Sequence, residues 1–130
     1  MGGGLMTLVD ASSWIEFLRG RQSEPSQRVK SLLAAGRAAW CEFTLVELWN
    51  GARDQPEKKA LEELEAEVQL CAINEPVWAK ARLLARRSRE NGVTATSGDI
   101  VVAACAASYG MELEHCDAHF DKILPIAKRL

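Results

Sequence analysis

The 130-residue sequence contains no apolar run close to the roughly 18–20 residues that a bilayer-spanning helix requires. Its opening, MGGGLM, lacks the charged and apolar regions of a secretory signal, and position 6 carries no Ser or Thr for N-myristoylation. Residues 1–5 read as a disordered leader or cloning remnant, with Met6 as the natural start. These features predict a cytoplasmic protein. Its four cysteines (Cys41, Cys71, Cys105 and Cys116) include no CxxC pair. They are expected to be reduced, buried thiols beside strands or in a helix. A net charge of −2 supplies no strong field for a polyanion. Local imbalance exists nonetheless: residues 54–67 are acidic and residues 80–90 are basic. No repeat or low-complexity segment is present.

What remains is an ordinary soluble composition, 48% hydrophobic and 26% charged, on a chain long enough for one core. TLV (7–9) reads as a strand, followed by a helix that Ser12 or Ser13 would cap and Gly20 would stop. PSQRVKSLLAAG has helical spacing and ends at Gly36. AAWCEF then reads as a buried strand. TLVELWNGA reads as a helix with Val46 and Trp49 facing inward. Pro56 opens an amphipathic helix to about Val68, with Leu61 and Leu64 on its inner face. QLCAI is a third strand. A long helix follows from Glu75-Pro76 to about Glu90, ended by Asn91-Gly92. The segment from Thr96 to Gly110 is a helix with Ser97 as cap. MELEHC is a strand, DAHFDKI a short helix, and LPIAK an edge strand. Alternating strands and helices predict an α/β/α sandwich around a mostly parallel sheet.

In such sheets, ligands gather beyond the carboxyl ends of the strands. Asp10 directly follows the first strand, and Asp117 a late one. Glu47 lies in the helix after the second strand, and Asp99 in the first turn of a small-residue helix. Each acid alone has an ordinary explanation as a cap or a solvated helix residue. Together they would repel one another unless a cation offset the charge. Oxygen-only donors suit Mg²⁺ or Mn²⁺. A competing zinc site made of His115, Asp117, His119 and Asp121 has neither usual zinc-ligand spacing.

The segments LVDASSWIEFLRG, LVELWNGAR and SGDIVVAACAASYGMELEHCDAHFDKI together resemble the PIN-domain ribonucleases, most of all the VapC toxins of bacterial VapBC toxin–antitoxin pairs. The resemblance spans about residues 6–127 and implies a single PIN domain over residues 6–130. It implies that Asp10, Glu47, Asp99 and Asp117 hold metal and are catalytic, with Ser12 as a nearby hydroxyl and Gly51 following Glu47. His119-Phe120 complete the final motif. Asp121 would stand just outside the ligand set, and His115 would help to orient water or phosphate. His119 is expected to pack or cap locally.

The same resemblance implies Mg²⁺- or Mn²⁺-dependent hydrolysis of transfer or ribosomal RNA, leaving 5′-phosphate and 3′-hydroxyl ends. It also implies a homodimer and a VapB-like antitoxin. A groove bordered by Trp14, Leu18, Leu48 and Trp49 could accept an amphipathic segment of that partner. Arg19, Arg21, Arg53 and the Arg82/Arg86/Arg87/Arg89 stretch are candidate RNA contacts. Other strand-end acid chemistries fit less well. A phosphotransfer receiver wants adjacent acids, but position 11 is alanine, and a haloacid-dehalogenase-type phosphatase wants an acid where Ser12 stands. The principal alternative is a PIN-like module that binds RNA or protein without cutting, which loss of one of the four acids would favour. None is lost.

Overall fold

Strand β1 (Thr7–Val9) has only three residues, yet its alternation feeds both layers of the molecule. Leu8 enters one core and Val9 the other. Strand β2 (Ala38–Cys41) repeats the pattern, with Ala39 and Cys41 beside Leu8, and Ala38 and Trp40 beside Val9. The computed structural model describes residues 5–130. Four of the five leader positions therefore lie outside the described residues, and Leu5 is exposed.

Between β1 and β2 come helices α1 (Ala11–Leu18) and α2 (Glu24–Ala34). After β2 come α3 (Glu42–Gly51), α4 (Gln55–Glu67), β3 (Gln69–Cys71), α5 (Glu75–Glu90) and α6 (Ser97–Tyr109). Strand β4 (Glu112–Glu114) and helix α7 (Phe120–Lys128) complete the described fold. All three strand pairings are parallel, and the order is β3-β2-β1-β4. This is the three-layer α/β/α sandwich that the alternation predicts. The chain lays β2 and β3 on one side of β1 and returns to place β4 on the other. That reversal opens a crevice at the carboxyl end of β1, beside Asp10.

One core packs Trp14, Val29, Leu48 and Leu61 against Val9 and Trp40. The Trp14 and Trp40 rings meet at 4.9 Å. The other core surrounds α6, whose residues Ile100–Ala106 are all buried. Small side chains there allow α5 and α7 to pack closely. Each large side chain fully buried in these cores contributes roughly 1.5–3 kcal/mol.

Several local expectations are corrected. The cap of α1 is Asp10 rather than Ser12 or Ser13, because its carboxylate accepts the Ser12 N–H. Thr96, not Ser97, caps α6 by accepting the Asp99 N–H. On α3 the inner face carries Thr44 and Leu48, whereas Val46 is 65% exposed and Trp49 lies at the surface. The helix starts directly after Cys41, so its register turns Val46 outward. The LPIAK segment is helical rather than an edge strand, since Phe120, Ile123, Ile126 and Ala127 are buried at helical spacing along α7. That apolar face holds the helix together despite Pro125 within it. Cys116 is exposed, while the other three cysteines are buried.

Candidate active site

The crevice is built first around Asp10. Its N–H donates to the Glu114 carbonyl at 2.9 Å, continuing the β1–β4 ladder beyond the strands. Its Oδ2 accepts the Ser12 N–H at 3.0 Å and the Ser12 hydroxyl at 2.7 Å. The residue is 6% exposed, and Oδ1 has no hydrogen-bond donor among the described residues. One oxygen is therefore fixed and the other is left available. The Ser12 hydroxyl also accepts the Cys116 N–H at 3.1 Å across 104 positions of sequence. This hydroxyl joins the end of β1 to the loop that carries Asp117.

That loop folds back on itself. The Asp117 N–H donates to His115 Nδ1 at 3.3 Å, and Asp117 Oδ1 accepts the His119 N–H at 3.0 Å. The turn swings the His119 ring over the acids, with Nδ1 3.2 Å from Asp117 Oδ1 and 3.6 Å from Asp99 Oδ2. One ligand atom from each of Asp99, Asp117 and His119 falls within a 4.8 Å group. His119 takes the expected local capping position, at the start of α7, and from there its ring lies beside two of the candidate acids. The available signal was its place two residues after Asp117, where an Asx-type turn returns the side chain towards the carboxylate.

His115 stands beside Asp117. Its ring stacks on Phe120 at 4.9 Å, its Nδ1 engages Asp117, and its Nε2 points towards Asp121 at 4.0 Å. Its Nδ1 accepts the Asp117 N–H and so positions that backbone, while Nε2 makes no hydrogen bond among the described residues. Asp121 is 72% exposed in its side chain and is directed at His115.

Glu47 approaches from α3. Although exposed, its carboxyl is pushed up to about 7, first by partial desolvation and then by Asp10 and Asp99. Burial likewise raises the Asp99 carboxyl, with further contributions from Asp117 and Asp10. The Thr96 hydrogen bond and His119 pull in the opposite direction. The structure therefore brings the four acids within each other's fields. Gly98 sets the approach of the two helices: a Cβ there would lie 2.6 Å from Cε2 of Phe43. Only a glycine lets the Asp99 turn pack this closely on the ring from α3.

The donor set fits a hard divalent cation. It offers carboxylate oxygens that repel one another, one unused oxygen on a fixed aspartate, and, among the described residues, no lysine or arginine paired with any of the four acids. His119 adds a single nitrogen.

Elsewhere the sequence reading fares unevenly. Arg19 and Arg53 are engaged by Glu57, at 3.6 and 3.1 Å. Arg21 pairs with Glu16, Arg82 with Glu75 and Arg87 with Glu90. Arg86 and Arg89 form no ion pair among the described residues. Trp14 is fully buried and cannot border a groove, and the Trp49 N–H is held by Glu65. The small cleft beside Glu47 is instead lined by Ile15, Leu18, Leu48 and Ala52, with Arg19 at its edge.

Comparison with known proteins identifies the family of the fold. Residues 7–123 match the PIN domain. The chain is 33% identical to a VapC ribonuclease of Mycobacterium bovis and to ribonuclease VapC11 of Mycobacterium tuberculosis. Each match extends over 125 residues and covers 93% of both chains. Among solved structures, VapBC2 from Rickettsia felis bound to a promoter DNA fragment superimposes with a TM-score of 0.77 at 11% identity. That match covers 92% of this chain and 93% of the other. VapBC-1 from nontypeable Haemophilus influenzae gives 0.72 at 20% identity, covering 93% and 94%. The chain belongs to the PIN-domain family, within its VapC group.

Proposed function

We propose that this protein is a metal-dependent endoribonuclease toxin, held inactive by a VapB-like antitoxin. The observation that carries the reading is the convergence of Asp10, Glu47, Asp99 and Asp117 on one crevice, where desolvation and then the neighbouring acids raise the carboxyls of Glu47 and Asp99. The ribonuclease names of the relatives and the toxin–antitoxin complexes among the structural neighbours support it.

Asp10, Asp99 and Asp117 would hold Mg²⁺ or Mn²⁺, with Glu47 completing the set directly or through water. When bound, the ion supplies a more acidic water and neutralises charge on the phosphate under attack. The protein contributes placement. Ser12 fixes one oxygen of Asp10, leaving the other to face the crevice. Glu47, reaching the crevice from α3, would help to orient the attacking water. His119 borders Asp99 and Asp117 at the open side, where RNA would arrive. Lys80, Arg86 and Arg89 are the basic residues of α5 without an ion pair among the described residues.

The α1–α3 cleft beside Glu47 would receive apolar side chains of the antitoxin, and an antitoxin arginine reaching the acids would occlude the ion. The protein would work in the cytoplasm as a homodimer, on transfer or ribosomal RNA.

Asp10→Asn, Asp99→Asn and Asp117→Asn should each lower RNA turnover at least about a hundredfold while leaving the circular dichroism unchanged. Expression of the wild-type chain alone should arrest bacterial growth, and co-expression of the neighbouring small open reading frame should restore it. Undiminished cleavage in the aspartate variants would refute the catalytic assignment and favour a PIN-like binding module.

A further inference from the structure

We propose that Glu114 is a positioning residue for the acidic crevice, acting with Ser13 and Arg28 to fix the offset between Asp10 and Asp117. The proposal deepens the metal-dependent reading above and rests on it. Glu114 is the last residue of β4, opposite Val9 in the β1–β4 ladder. Its side chain is only 11% exposed, and two helices supply donors to its carboxylate. Oε2 accepts the hydroxyl of the fully buried Ser13, from α1, at 3.0 Å. Oε1 accepts the Arg28 Nε–H, from α2, at 2.7 Å. A carboxylate so far desolvated is costly unless it is hydrogen-bonded in this way.

The same residue grips the Asp10 segment at two points. Its carbonyl accepts the Asp10 N–H at 2.9 Å, while its carboxylate holds Ser13 in the first turn of α1. Between them, the Ser12 hydroxyl accepts the Cys116 N–H at 3.1 Å. Three bonds thus lace residues 10–13 to residues 114–116, immediately before Asp117. They are polar bonds at the end of the sheet, distinct from the apolar side chains that form the two cores. The cores hold the sandwich together, and the lacing sets where the loop after β4 leaves relative to the end of β1. Glu114→Leu would fill the same space but leave Ser13 and Arg28 without their acceptor. A misplacement of about 1 Å in a reacting constellation can cost about a hundredfold in rate.

The test is the Mn²⁺ affinity of the full chain, read from the EPR signal of free Mn²⁺ well below Tm, beside cleavage of bulk transfer RNA. Glu114→Leu should weaken Mn²⁺ binding about tenfold and lower turnover at saturating Mn²⁺ by a similar factor, as loss of a partner behind metal ligands does. Glu114→Gln keeps an oxygen for Arg28 and an amide towards which the Ser13 hydroxyl can turn; it should largely restore both. Arg28→Met combined with Glu114→Leu removes both charges and should remain as weak as Glu114→Leu alone. Recovery of wild-type affinity in that pair would make the effect one of net charge and overturn the proposal. Unchanged Mn²⁺ affinity in folded Glu114→Leu, with only a lower Tm, would mark a purely structural bond and also overturn it. If Glu114→Leu misfolds, Ser13→Ala with Arg28→Met carries the same test. Should the wild type bind Mn²⁺ but cut no RNA, the ribonuclease reading falls and the affinities alone decide the proposal. Should Glu114→Leu cut RNA as well as the wild type does, the proposal falls and the ribonuclease reading stands. Absence of Mn²⁺ binding by the wild type would overturn the proposal together with the metal reading.

Discussion

Glutamate 47 should make the metal-free protein lose stability as the pH rises through neutrality. Its carboxyl titrates near 7 in the folded chain, against an ordinary value of 4.5, because of partial desolvation and the charges of Asp10 and Asp99. The folded state therefore holds this proton more tightly than the unfolded state does. The stabilisation is complete below about pH 4.5 and is lost as the pH climbs through about 7. Asp99, also raised, acts in the same direction. Fully expressed, the difference at Glu47 would correspond to about 3.4 kcal/mol, at about 1.36 kcal/mol for each pH unit. Glu47 is exposed, however, and solvent screening should reduce this to roughly 1 kcal/mol.

The measurement is urea unfolding in EDTA from pH 4.5 to 8, comparing wild type with Glu47→Gln. Subtracting one profile from the other removes carboxylates such as Glu16, whose pairing with Arg21 gives the opposite slope. The wild type should lose about 1 kcal/mol relative to the variant across this range. Excess Mg²⁺ should flatten the difference, since a cation relieves the same repulsion. Superimposable slopes for the two proteins would refute the claim that Glu47 lies in the field of the other acids.

Three further outcomes follow from the site. Ser12→Ala removes the hydroxyl that binds both Asp10 and the Cys116 N–H; it should cost about 1–2 kcal/mol in urea unfolding and lower turnover, and Ser12→Thr should restore most of both. Gly98→Ala would gain up to about 1 kcal/mol from helix propensity at an open helical site. Here the Phe43 ring should turn that gain into a lower Tm and reduced RNA cleavage, both recovered in part by adding Phe43→Leu. His119→Ala should leave the Mg²⁺-induced rise in Tm largely intact, because magnesium prefers the carboxylate oxygens; loss of that rise would make His119 a required ligand.

The layer architecture was legible because the strands are short apolar runs bounded by helices with good caps and stops. Asp10 and Asp117 were legible because Asp10 directly follows β1 and Asp117 lies three residues beyond β4, and a parallel sheet sends such residues to the same edge. The inner face of α3 was not legible. Val46, Leu48 and Trp49 are all apolar, so only the starting point of the helix decides which of them turns inward. The terminal helix was read as ending at Ile123 because Pro125 suggests an interruption, whereas the spacing of Phe120, Ile123, Ile126 and Ala127 carries it on to Lys128. The place of His119 depended on a local turn around Asp117, which periodicity does not register.

The pairing of β4 with β1 also governs when the molecule becomes dangerous. Asp10 is synthesised near the beginning and Asp117 near the end of the chain, and their strands meet only through contacts such as Leu8 with Leu113. Such distant contacts are costly to close and form late relative to local helices. A nascent chain on the ribosome would carry Asp10, Glu47 and Asp99 while still lacking the loop that brings Asp117. At roughly 5–20 residues per second, the stretch from Asp99 to Asp117 alone takes about 1–4 s, during which the growing polypeptide is harmless to the RNA around it. The strand order thus acts as a built-in delay between translation and activity.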